Sequence, residues 1–208
     1  GRVEVLAPKR ASDAQVAAFV AENAAWISQC QEQFLARYGL KDRSLPRSIS
    51  MPSIDSEVPV RYLRQAKETV SAKGQRALVL SGAIDDEELC RKALKRWLAR
   101  TAKREFEIRL AALSRETGLQ YQRLHVRGQK TCWGSHSSSG TISLNYSLLF
   151  VSPEQLRYLL LHELCHGRHM NHSRRFWQLV EQFEPDYKRL DRSMDQAREL
   201  FPGWLDIF

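Results

Sequence analysis

The chain has 208 residues, 43% of them hydrophobic, with 32 Lys and Arg against 24 Asp and Glu for a net charge of +8. That apolar content is enough for one sizeable core or two small lobes, and no apolar run approaches the roughly 18 residues of a membrane span. Cys30, Cys90, Cys132 and Cys165 are widely spaced, form no C-x-x-C and read as free thiols. With no signal-peptide pattern, this points to a reducing, cytoplasmic setting rather than a disulfide-stapled secreted domain.

In chain order, residues 2–7 alternate like a half-buried strand and stop at Pro8. Ser12-Asp13-Ala14-Gln15 forms a capping box. The helix it opens is expected to turn Val16, Phe19, Val20, Ala24, Ile27, Phe34 and Leu35 inward and to end near Gly39. Residues 39–59, with three prolines and several serines, read as mostly loop. Residues 58–81 read as short strands turning at Lys73-Gly74, most clearly over 58–63 and 77–80.

Asp85-Asp86-Glu87-Glu88 starts a long helix to about Gly118, with acidic residues suited to its N-terminus. Leu94, Trp97, Leu98, Thr101, Phe106, Leu110 and Leu113 form its apolar stripe. Its other face carries Arg91, Lys92, Lys95, Arg96, Arg100, Lys103 and Arg104. Residues 89–130 hold twelve Lys or Arg against three Glu, a net +9 that accounts for the surplus of the whole chain. Such a face is either solvated or touches a polyanion, nucleotide or nucleic acid. A strand over 121–127, a loop over 129–140 and a strand at Thr141–Asn145 are expected next.

Ser152-Pro153-Glu154-Gln155 is a strong helix start: an N-cap, a proline at the first helical position and a capping box. Leu156, Leu159, Leu160, Leu161 and Leu164 make the helix apolar around most of its girth, hence buried. On it stands His162-Glu163-Leu164-Cys165-His166, an H-E-x-x-H. Residues four apart lie one above the other, about 6 Å apart, so both imidazoles can reach one metal ion. Glu163 is turned about 100° away, where it can reach a metal-bound water without ligating the metal. Cys165 falls on the opposite, core side. The chemistry this layout serves is metal-assisted hydrolysis.

A third ligand is needed. His169, if the helix continues, is about 10 Å along the axis from His162, too far to share one ion. Gly167 or Asn171 can break the helix through a positive φ and let His172 fold back beneath it; Glu181 or Glu184 on the following helix are the alternatives. H-E-x-x-H-x5-H has the metzincin ligand spacing, but His169 stands where that pattern has glycine. His136, His169 and Arg168 are candidates to stabilise developing negative charge. Ser173 can cap a helix carrying Phe176, Trp177, Val180 and Phe183 inward. A last helix from about Asp186 ends before Pro202, and the aromatic tail from Trp204 docks on the body.

Residues 162–177, HELCHGRHMNHSRRFW, resemble the YgjP-like metallopeptidase domain family, distantly related to SprT-like proteases. Trp133-Gly134-Ser135 and Leu144-Asn145 stand where that family carries a W-G-S motif and an S-L-N strand. The resemblance covers most of residues 2–190. It implies an α+β, zincin-like core with the motif helix beside a small mixed or antiparallel sheet, preceded by a small α/β lobe. The lobe would be residues 1–84 and the catalytic part 85–208, within what can be one continuous family domain. It also implies one Zn2+ held by His162, His166 and His172, with Glu163 as catalytic base and a peptide as substrate. Cys132 and His136 depart from the family's Arg and Cys at those positions, which bears on substrate preference. The family has a further strand upstream, so a longer native chain is expected.

Three functions follow as expectations. The first is a zinc metallopeptidase. The second is a metal-dependent nucleotide phosphoanhydride hydrolase, suggested by the basic surplus. The third is a DNA-associated protease of the SprT-like kind.

Overall fold

The computed structural model describes residues 5–8, 10–39, 41–129 and 131–205, excluding the side chains of Phe34, Arg37 and Tyr38. The chain divides into two compact units, one up to Asp42 and one from Arg43. The fold is α+β: among the described residues there are six α-helices and two small mixed sheets.

The first unit holds α1 (Asp13–Glu22) and α2 (Ala24–Tyr38). The Ser12–Gln15 capping box forms as expected. The single helix expected up to Gly39 is instead interrupted at Asn23, which ends α1 and precedes α2. The side chain of Phe34 lies outside those described, and the rest of the expected inner face is not buried: Phe19 is 59% exposed and Leu35 41%. Regular apolar spacing gives a stripe but does not guarantee a partner for it. Of the expected first strand, residues 1–4 lie outside the described residues and 5–8 are not strand.

The second unit opens with β1 (Ser48–Met51) and β2 (Ser56–Arg64), then β3 (Val70–Lys73) and β4 (Leu78–Gly82). The sheet order is β1-β2-β4-β3, with β2 and β4 parallel and the outer pairs antiparallel. β1 corrects the expectation of loop over 39–59. Ile49 and Met51 are buried between exposed Ser48 and Ser50, a period of two that the surrounding prolines and serines obscure.

Helix α3 (Glu87–Thr117) runs 31 residues from the Asp86 cap to Gly118, whose φ of 72° is the left-handed cap that favours glycine. At about 1.5 Å per residue it is long enough to pack against both sheets and the motif helix. All seven residues of the expected apolar stripe are buried. Part of the basic face has a structural use. Arg96 and Arg100 donate to the carbonyls of Val70 and Ala72 on the edge strand β3, and Trp97 Nε1 donates to Gly74 O. Arg91 and Lys92 pair with Glu87 and Glu88 one turn earlier. The arginines thus cap carbonyls that a sheet edge would otherwise offer to another chain.

The second sheet comprises β5 (Arg123–Arg127), β6 (Gly134–His136) and β7 (Thr141–Asn145), in the order β5-β7-β6. β5 and β7 are parallel, β6 and β7 antiparallel. β6 lies inside the stretch expected to be loop. Three residues, Gly-Ser-His, are too few and too polar to show alternation. Beyond it come α4 (Pro153–Cys165), α5 (Arg174–Phe183) and α6 (Tyr187–Met194). α6 is shorter than the expected last helix, and a 3₁₀ turn at Ala197–Leu200 intervenes before Pro202. Trp204 and Leu205 are buried, as expected of a docked tail.

Candidate metal centre

Helix α4 begins as its sequence dictates. Ser152 accepts from Gln155 N at 3.2 Å, and Gln155 Oε1 accepts from Ser152 N at 2.9 Å. Gln155 Nε2 also donates to Ser193 Oγ of α6 at 3.0 Å, tying the start of the motif helix to a neighbour. Leu156, Leu159, Leu160, Leu161, Leu164 and Cys165 are buried, so the helix is held on most sides.

The helix stops at His166. The N–H groups of Gly167 and Arg168 bond the carbonyls of Leu164 and Cys165 at 2.9 and 3.0 Å, winding the chain into a tight turn. Contrary to expectation, neither Gly167 nor Asn171 adopts a positive φ. Gly167 serves by lacking a side chain. A Cβ there would sit 3.1–3.2 Å from Leu164 O, Gln120 O and His136 Cε1, tighter than ordinary contact. The turn returns His172 to the motif helix.

His162, His166 and His172 each offer a ring nitrogen, and these atoms lie within 4.8 Å of one another. The Nε2 atoms of His162 and His172 are 3.0 Å apart. Burial, then the neighbouring imidazoles, pushes His162 down to about 3. Burial also lowers His166, partly offset by its bond to His169 O. Both rings are thus neutral near pH 7 and keep the lone pair a cation needs. His166 Nδ1 donates to His169 O at 3.0 Å, leaving Nε2 to face inward. His169 contributes its backbone carbonyl to this arrangement. Neither Glu181 nor Glu184 joins the group.

Glu163 is 3% exposed, and its Oε2 has no hydrogen-bond partner. Burial pushes its carboxyl up to about 8. An unpartnered carboxylate oxygen in the interior is costly unless something else occupies its surroundings. The three imidazoles make a donor set that fits a divalent cation with an open position.

The strand nearest this carboxylate is β6. A Cβ on Gly134 would collide with the Glu163 carboxylate, so only glycine lets strand and side chain come this close. His136 Nδ1 hydrogen-bonds the backbone carbonyl of Glu163, fixing β6 to α4 a second time. Asn145 is structural: it donates to the carbonyls of Gln129 and Cys132 at 2.6 and 3.3 Å, and so holds the loop leading into β6. Trp133 packs edge-on against Phe201 at 5.4 Å. Arg168 is exposed.

The family model of the YgjP-like metallopeptidase domain matches residues 1–197. The chain belongs to the YgjP-like metallopeptidase domain family. One solved structure, the metallopeptidase zymogen of Pyrococcus abyssi abylysin, is 30% identical to it. That match covers 45% of this chain and 95% of the other, with a TM-score of 0.40. The comparison with curated proteins gave no match. Among the described residues no helix is long and apolar enough to cross a membrane.

Four residues at the site escaped the sequence reading of function. Phe176 stacks on His166 at 4.5 Å between ring centroids, and Trp177 stacks on His172 at 5.5 Å. Their spacing marks them as inward-facing without saying what they face. Tyr158 Oη lies 3.5 Å from His162 Nδ1 and donates to Asp191 Oδ1 at 2.7 Å. Burial and the hydrogen bond to Asp191 raise the phenol above its ordinary value, so it remains a neutral donor. Tyr158 stands four residues before His162, a spacing that carried the signal. Asp191 is 33 residues further on and carried none.

Proposed function

We propose that this chain is a zinc-dependent peptidase, with His162, His166 and His172 holding the ion and Glu163 acting as general base. The observation that carries this reading is the convergence of three ring nitrogens at the end of a helix whose Glu163 is buried with an unpartnered oxygen. A three-histidine set of this kind suits zinc, which when bound lowers the pKa of a coordinated water and polarises the carbonyl under attack.

The chain's own residues supply the rest. Glu163 takes a proton from the attacking water and delivers it to the amide nitrogen that leaves. Its desolvated surroundings raise its proton affinity, which suits a group that must both accept and return a proton. Gly134 lets β6 lie against that carboxylate. β6 is an edge strand, so its outer backbone groups can pair with an extended peptide and align it along the site. His136, on the same strand, hydrogen-bonds the backbone carbonyl of Glu163 and so faces the motif helix.

Glu163→Gln tests the reading. The variant keeps its zinc, measured by metal analysis, and loses cleavage of a peptide library by at least about 1,000-fold. Full cleavage by that variant would exclude Glu163 as the base. Release of pyrophosphate from nucleoside triphosphates by the zinc-loaded wild type, without peptide cleavage, would turn the assignment to nucleotide hydrolysis.

A further inference from the structure

Each candidate ligand nitrogen must be presented by a ring whose rotation and tautomer are fixed. His166 is fixed by the carbonyl of His169 on Nδ1. His162 has a different arrangement. Its Nε2 faces His172 and its Nδ1 points to Tyr158 Oη, which is buried on the preceding turn of α4. The hydroxyl cannot donate to both neighbours. Its proton goes to Asp191 Oδ1 at 2.7 Å, the shorter contact and the one to a carboxylate. Toward His162 the oxygen therefore acts as acceptor, so Nδ1 must carry the imidazole proton and Nε2 the lone pair.

We propose that Tyr158 and Asp191 form a positioning relay in which a carboxylate on α6 sets the tautomer of His162 through a buried phenol, and so primes that ring for a metal ion. The proposal rests on the assignment of His162 as a ligand. The two members are unequal. Tyr158 is 1% exposed and touches the imidazole; Asp191 is exposed and reaches it only by orienting the Tyr158 hydroxyl. Without Asp191 the hydroxyl is free to turn its proton toward Nδ1, and the opposite tautomer becomes accessible. Asp191 thus gives α6 a use beyond packing, and Gln155 binding Ser193 two residues further on holds that helix in register.

The test combines two measurements on Tyr158→Phe, Asp191→Leu and the double variant. Thermal melts establish that each is folded. Nitrogen NMR of the histidine side chains in metal-free protein, with the His162 signals identified by their loss in His162→Gln, reports the tautomer. Wild type is expected to show His162 in a single form protonated at Nδ1, and Tyr158→Phe a mixture. Zinc affinity, measured by competition with a chelator, is expected to fall about 10–100-fold in Tyr158→Phe. It should fall by a smaller factor in Asp191→Leu, and no further in the double variant than in Tyr158→Phe alone, because Asp191 acts only through the phenol. Asp191→Glu should recover part of the loss.

An unchanged tautomer and affinity in Tyr158→Phe would overturn the relay. So would an Asp191 effect that persists undiminished in the Tyr158→Phe background. If wild type itself bound no zinc, the metal assignment would fail, while the metal-free tautomer measurement would still decide whether the relay exists.

Discussion

Glu163 shows how much of the site depends on what a residue lacks. Its carboxylate is buried, Oε2 has no partner, and Oε1 lies where a side chain on Gly134 would otherwise stand. A methyl group on Gly134 cannot be accommodated by moving the strand, since Asn145 N holds Trp133 O at 2.8 Å and His136 is bonded to the motif helix. The side chain that must yield is that of Glu163. If Glu163 is the base proposed above, Gly134→Ala is expected to keep its zinc but to lower kcat about 100-fold, the usual consequence of displacing such a group by about 1 Å. Metal analysis beside steady-state kinetics on a cleaved peptide checks this. Unaltered kcat would mean that the carboxylate works from another position. Gly167 makes the complementary point, since its role is room for the turn between His166 and His172, not backbone freedom.

Elements whose ends are written in side-chain chemistry were legible in the sequence; elements defined by what they meet were not. α3 begins at an aspartate cap and ends at a left-handed glycine, and α4 begins with a proline and a capping box, so both could be placed to within a residue or two. The pair His162 and His166 followed from helical periodicity alone. β1 and β6 are four and three residues long, and short strands reveal themselves through partners distant in sequence. The same applies to Asp191, whose place beside Tyr158 depends on α6 packing against α4. Gln155 links both kinds of information, since it completes the cap and also bonds Ser193 on α6. Gln155→Ala removes half of the capping box and an inter-helix bond. It is expected to cost about 1–2 kcal/mol of unfolding free energy. Urea titration would register this as a lower midpoint with an unchanged slope. A loss no larger than that of an exposed helix substitution would show that the contact to α6 contributes nothing.

For the molecule as a whole, the location of the core relative to the metal centre decides what the ion can do for stability. The buried apolar residues run from Ile49 to Leu205 and include both sheets and the length of α3. The three imidazoles all come from residues 162–172, the end of one helix and the turn after it. Leu161, Leu164 and Cys165 on that helix are fully buried. A metal bound there adds to a fold that already has its own hydrophobic core, unlike small zinc domains that are unfolded without the ion. Stripping the protein with a chelator should thus leave a cooperative melting transition. At free zinc about a hundred times the dissociation constant, the ion stabilises the folded state by about 2.7 kcal/mol. For a chain of this length that corresponds to a Tm increase of about 5–10 °C. His172→Ala should melt cooperatively and lose most of that increase, because it removes a proposed ligand on the surface and no part of the core. Scanning calorimetry of both proteins with and without zinc separates the cases. Loss of the transition in chelated wild type would mean that the region from α4 to α6 folds around the ion.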